Sequence, residues 1–180
     1  GQPAEAYSTP REVFGSCGAA ALYSRRLLDA VGGFDPDFFL IYEDADLNVR
    51  ARLQGFRCLY VPEATVLHQI NSSIGTFSST YVFYGHRNSE YVFWKNMPIS
   101  LLLLYVPERL LFNLLCFLFF LFKGQGGSFV YAKIDFIRNL PRLMHKRKQV
   151  QTSRKLSTHE FRKLLSRNWF RNRRKVSVVS

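Results

Sequence analysis

The 180 residues include 25 Lys+Arg against 13 Asp+Glu, a net charge of +12, with 47% of positions hydrophobic and 16% aromatic. That length suffices for one domain with a core without demanding two, and three widely spaced cysteines (Cys17, Cys58, Cys116) suggest neither a disulfide framework nor a zinc site and fit a reducing compartment. Residues 1–97 carry 8 basic against 10 acidic side chains and residues 98–180 carry 17 against 3, so an acidic front that handles cations or hydroxyls adjoins a back that seeks phosphate or anionic lipid.

In chain order, "GQPAEAYSTPREVFG" reads as loop entering a fold, without the basic start and apolar run of a signal peptide. The small apolar stretch 16–23 predicts a buried strand. Ser24 then caps a short helix, "RRLLDAV", ended by Gly32-Gly33. An aromatic loop to Tyr42 precedes a second helix from about Asp44 to Gln54, with Gly55 just beyond its end. Residues 56–61 and 64–69 read as strands separated by Pro62-Glu63, and residues 81–94 as a helix packing on this α/β unit.

Residues 99–122 are nearly all apolar, and at about 1.5 Å per helical residue they just reach across a bilayer core of roughly 30 Å. Pro107, Glu108 and Arg109 oppose a simple span, which favours a bent pair of helices dipping into one leaflet. A single tilted span and a buried core helix are the alternatives. From Arg142 to Lys175 the tail holds 13 basic residues against Glu160. Within it Ser157 and Glu160 form a capping box for a basic amphipathic helix with Phe161, Leu165 and Trp169 at i+4 spacing. After an apolar segment, such a tail points to an anionic membrane on its cytoplasmic face, peripheral or single-pass; a solvated helix packed on its own domain is the bland alternative. No nucleic-acid motif accompanies the charge, so nucleic acid is not an expected partner.

Five carboxylates crowd residues 32–46 beside Phe38, Phe39 and Tyr42. Glu43, Asp44 and Asp46 in a first helical turn are favoured by the helix dipole, which accounts for the charge but not for the aromatics. A two-carboxylate metal motif at Asp44 and Asp46 is opposed by geometry, since residues i and i+2 lie about 200° apart around a helix. A third reading makes one carboxylate a general base near aromatic walls that bind a sugar ring.

Residues 15–73 carry, in order, a small-residue strand, an "RR" helix, "GGFD", "FF", "EDADL", an Arg, a Gly, a "VPEA" turn and a His. This order resembles the family 2 glycosyltransferases, and within them the rhamnosyltransferase-like bacterial enzymes. The pair Arg87-Asn88, followed by an apolar segment and a basic tail, is similar to their membrane-associated C-terminal part. The resemblance implies an α/β fold, a partial GT-A fold with C-terminal membrane-associated helices. It divides the chain into an acceptor-side catalytic half (1–97), an apolar membrane-associated segment (98–123) and a basic helical tail (124–180). It implies inverting transfer from a nucleotide-sugar to a saccharide or lipid-linked acceptor in cell-surface polysaccharide synthesis. By motif position Asp44 is the catalytic base, with Glu43 and Asp46 as neighbours and Asp46 structural. Gly32, Gly33 and Phe34 match the loop where the acceptor lies, and Phe39 and Tyr42 complete its walls. His68 matches a histidine that holds Mn²⁺ or Mg²⁺ on the diphosphate in several members, with simple packing as the alternative. Arg50 and Arg87 are candidates for the leaving-group phosphates, with solvated helix charges as the alternative.

The family's nucleotide-binding half is expected upstream of Gly15, so the 180 residues alone are expected to bind nucleotide-sugar poorly and to show no turnover. The competing classes are a non-catalytic membrane adaptor, in which the acids merely cap a helix, and, behind it, a nucleic-acid binder that uses the basic tail.

Overall fold

The computed structural model describes residues 8–67, 75 and 78–165. Two short strands, β1 (Arg11–Val13) and β2 (Cys58–Tyr60), pair antiparallel with Glu12 opposite Leu59. The rest of the regular structure among the described residues is helical: α1 (Arg25–Val31), α2 (Glu43–Leu53), α3 (Ser79–Asn96), α4 (Ile99–Phe122), α5 (Gly126–Arg138), α6 (Leu140–Ser153) and α7 (Thr158–Leu164).

The first two helices follow their sequence signals. Leu27 N donates to Ser24 Oγ at 3.2 Å, and Gly32, at φ +79°, closes α1 through its N–H to Leu28 O at 2.8 Å. α2 begins one residue earlier than predicted. Residues 16–23, expected as a buried strand, are instead a loop laid on α2. Small residues where it begins serve close approach: a Cβ at Gly15, just before it, would meet Asn48 at 2.3 Å, and Asn48 Nδ2 donates to Ser16 O at 2.7 Å. Of the strand expected over 64–69, residues 64–67 are not extended pairing partners, and the remainder lies outside the described residues.

The apolar segment is also corrected. Instead of two helices broken at Pro107, α4 is one continuous helix of 24 residues with the proline inside it. Contacts on both sides of Pro107 hold it against its neighbours. Leu101 packs with Leu53 and Phe161 near the start, and Phe120 packs with Val82 and Phe129 near the end. Between them Arg109 and Asn113 reach Glu90 of α3, at 2.9 Å each, and Lys133 of α5 reaches the same carboxylate at 2.5 Å. Burial opposes ionisation of Glu90, which is 2% exposed, but Arg109 and Lys133 outweigh it and lower its pKa. Of the two charges that argued against a membrane segment, Arg109 faces protein, whereas Glu108 is exposed, as are Leu103, Leu110, Leu114 and Leu121. Only 11% of the most apolar stretch of α4 is buried.

α6 returns the basic tail to the front of the molecule, and α7 opens on the predicted capping box, with Ser157 N donating to Glu160 Oε2 at 2.9 Å and Glu160 N to Ser157 Oγ at 3.2 Å. The expected helical stripe stops at Leu164, because Leu165 is extended, and Trp169 lies outside the described residues. Phe161 is buried against Leu53 and Leu101 and meets Phe14 edge-on, so this turn of the tail is packed on the domain as the bland alternative has it.

His86 of α3 sits between the rings of Phe120 and Phe129, at 5.0 and 4.7 Å, with its buried Nδ1 unpartnered among the described residues. Burial, then the charges of Lys133 and Arg109, against the weaker pull of Glu90, lower its pKa from 6.5 to about 4. A depressed base favours the folded state while neutral. Its contribution is thus complete above pH 6.5 and is lost as pH falls from there towards about 4. Denaturation midpoints are expected to decline over that interval in the unmodified chain and much less in His86→Leu. Parallel declines would contradict this.

Candidate functional site

The turn that delivers the chain to α2 is strained. Phe39, Ile41 and Tyr42 have φ of 55°, 65° and 72°, left-handed values that cost non-glycine residues about 1 kcal/mol or more each. α3 holds them there. Asn88, fully buried, shares its Nδ2 among Phe38 O at 2.8 Å, Leu40 O at 2.6 Å and Ile41 O at 2.7 Å. Arg87 Nη2 adds a bond to Asp37 O at 2.8 Å. Phe38 anchors the turn in the core against Tyr91, with ring centroids 5.8 Å apart, so it is not part of a sugar pocket.

Beneath the turn lies a buried charge network. Lys95, 1% exposed, contacts Asp35 at 2.6 Å and Asp46 at 2.7 Å. Asp46 also receives Arg50 Nε at 2.8 Å and Asn96 Nδ2 at 2.7 Å. Lys146 of α6 binds Asp35 and Asp37 at 2.5 Å each, and Arg142 binds Asp37 at 2.5 Å. Burial works against the Asp35 carboxylate, but the charge of Lys95 and bonds from Lys146 and Lys95 hold its pKa well below the usual range. Asp46 thus serves to seat α2.

Asp44 points to the opposite side of the helix. Its Oδ2 accepts from Gly18 N at 2.8 Å and its Oδ1 from Ala45 N at 2.6 Å, and the side chain is half-buried under the 16–20 loop. Two backbone donors fix the carboxylate and leave lone pairs on both oxygens for a hydroxyl proton. Glu43 beside it has a buried Oε2 with no hydrogen-bond partner among the described residues. Tyr42, which precedes α2 at its head, is 40% exposed, and Phe39 is 78% exposed on the ring of Tyr84 at 5.4 Å.

Phe34 is 49% exposed and meets Tyr23 edge-on at 5.8 Å; Tyr23 in turn accepts from Ser16 Oγ, two residues from Gly18. Gly32 and Gly33 open instead on a cavity of about 420 Å³ shared with Arg50, Gln54, Lys146 and Gln149. The structure therefore gathers Asp44, Glu43 and Tyr42 at the head of α2, with Phe39 on the adjoining turn. The Gly-Gly turn sits towards the other end of that helix, bridged by Phe34.

Neither arginine is a solvated charge. Arg50, 7% exposed, spends Nη1 on Val31 O at 2.5 Å and Nη2 on Gly33 O at 2.7 Å, and Arg87 stacks on Tyr84 and Tyr91 while tying the strained turn to Asp135. Both position loops around the site. Asp44 and Asp46 face apart, and among the described residues no three His, Cys, Asp or Glu side chains could hold a metal. The described donors do not fit a divalent ion by themselves; His68 lies outside the described residues.

Sequence reasoning missed Lys95 and Gly18. A lysine in an aromatic helix carries no local sign of its buried partners, and Gly18 is one of several small residues. The pair Arg87-Asn88 was visible, but its role as the clamp on the turn was not.

Residues 7–82 match the family described as glycosyltransferase like family 2. The chain is 37% identical over 76 residues to the N-acetylglucosaminyl-diphospho-decaprenol L-rhamnosyltransferase of two Mycobacterium tuberculosis strains, CDC 1551 / Oshkosh and ATCC 25618 / H37Rv. The match takes in 42% of this chain and 24% of each relative, so the chain spans about a quarter of the length of the curated relatives it matches. The resemblance read from residues 15–73 is borne out. No solved structure matches the chain.

Proposed function

We propose that these residues form the acceptor side of a glycosyltransferase with a partial GT-A fold, which moves a sugar from a nucleotide-sugar to a hydroxyl of a saccharide or lipid-linked acceptor with inversion. The observation that carries this reading is the fixed carboxylate of Asp44, aimed by Gly18 and Ala45 away from the core at the head of α2, within the stretch that matches the family. Asp44 takes the acceptor's proton as its oxygen bonds to the anomeric carbon, and the nucleoside diphosphate leaves with the electrons of the broken C–O bond. Tyr42 and Phe39 offer apolar faces to the sugar ring. The donor is held by a segment beyond the matched quarter, and a Mn²⁺ or Mg²⁺ ion with His68 as one ligand belongs to the same proposal.

α4 supports attachment to the membrane that carries such an acceptor, on its cytoplasmic face. Its inner side packs on α2 and α7 near its start and is bound to α3 and α5 from Arg109 onward, and its outer side is leucine-rich. A helix so bound lies along the bilayer surface with its outer face immersed, in place of crossing it.

The test is a transfer assay on the protein expressed from its full reading frame, with labelled nucleotide-sugars and membrane-extracted lipid-linked acceptor. Label is expected in a lipid-linked product with at least one donor. No labelled product with any donor, from a folded protein, would overturn the reading.

A further inference from the structure

A groove of about 420 Å³ opens where α6 passes the start of α4, with Ile99 and Met144 on its apolar side and Arg147, Lys148, Gln151 and Arg154 on its polar side. Arg147 is fixed in the wall by Nη1 bonds to Trp94 O at 2.6 Å and Met97 O at 2.7 Å, the carbonyls at the end of α3, and Arg154 Nη1 donates to Thr158 Oγ1 at 2.9 Å. On the same helix Arg142 and Lys146 are paired with Asp35 and Asp37, whereas Arg147, Lys148 and Arg154 form no ion pair among the described residues. Burial, and after it the nearby charge of Arg154, lower the Arg147 pKa.

The apolar wall of the groove runs on into the exposed face of α4. Ile99 is followed one turn later by Leu103, and then by Leu110, Leu114 and Leu121, all exposed. A ligand with a phosphate at one end and long hydrocarbon at the other satisfies both surfaces, because guanidinium groups fork onto phosphate oxygens and the chains cover leucine.

We propose that this groove binds the phosphate of an anionic membrane glycerophospholipid, whose acyl chains lie beside α4. The lipid is an anchor and not the acceptor. α2 is about 16 Å long, and its far end is tied to the groove's helix by Gln54 Nε2 to Ser153 O at 2.7 Å, whereas Asp44 stands at the other end. The inference rests on the membrane attachment proposed above and adds headgroup recognition to it.

The test uses the 180-residue chain and sedimentation with phosphatidylcholine vesicles, with or without phosphatidic acid. Binding is expected to tighten about tenfold or more with phosphatidic acid. The double substitution Lys148→Gln with Arg154→Gln is expected to lose most of that gain, and Lys155→Gln with Lys163→Gln, an equal charge change in the same tail outside the groove, to keep most of it. Lys148→Glu, at an exposed position, gives the same readout without disturbing packing, and circular dichroism confirms folding. Equal losses in the two double variants would show diffuse surface charge and overturn the groove assignment. Displacement by millimolar inorganic phosphate would make it a site for soluble phosphate and overturn the lipid. Binding to both vesicles without preference overturns this inference and leaves membrane attachment standing; binding to neither overturns both.

Discussion

Asp44→Asn is expected to lower sugar transfer by the protein from its full reading frame by about a hundredfold to ten-thousandfold, the range over which a positioned general base contributes. The amide keeps the shape of the carboxylate but not its capacity to take a proton. It also turns an NH₂ towards one of the two backbone donors, Gly18 N or Ala45 N, that now meet oxygens at 2.8 and 2.6 Å. One lost bond costs about 1 kcal/mol of stability, so folding and vesicle binding should survive. The loss should appear equally in kcat and kcat/KM, since the proton moves only as the acceptor attacks. Unchanged transfer would remove Asp44 from the chemistry and leave the acids at the head of α2 as a dipole-matched cap.

The largest effect on stability is expected from Lys95→Met, about 3 to 5 kcal/mol, read as a shift in the denaturation midpoint. Methionine fills the space but withdraws a cation that is 1% exposed from two carboxylates at 2.6 and 2.7 Å. Lys146 still faces Asp35, and Arg50 and Asn96 still face Asp46, but none of the three bridges the two carboxylates as Lys95 does. The consequence reaches the site, since Asp46 fixes the rotation of α2 that sends Asp44 the other way. A loss under about 1 kcal/mol, the value of a surface pair, would contradict the buried network.

The parts legible in the sequence are those written locally. Ser24 and Gly32 bound α1, the run of acids marks the head of α2, and Ser157 with Glu160 opens α7, because each signal acts within one turn of chain. What depended on distant contacts was not legible. Residues 16–23 look like a strand because small apolar residues suit both a buried strand and a loop pressed on a helix, and only Asn48 and Asp44, about thirty residues on, select the loop. Pro107 looks like a break until Glu90, on a different helix, is seen holding Arg109 and Asn113. At the candidate site, the family order of residues singles out Asp44 and the aromatics as expectations, but which aromatics face out is a tertiary matter: Phe38 goes into the core while Phe39, its neighbour, stands exposed. The positive φ at Phe39, Ile41 and Tyr42 had no glycine to announce it, since Asn88 and Arg87 supply from α3 the restraint that makes it tolerable.

A base that deprotonates the acceptor for direct attack requires the new bond to form on the face opposite the departing diphosphate. Proton NMR of the purified product, compared with the donor, reads this at the anomeric carbon. The account predicts an inverted configuration. A retained configuration would mean that the acceptor does not attack the donor in one displacement, and would contradict the role assigned to Asp44.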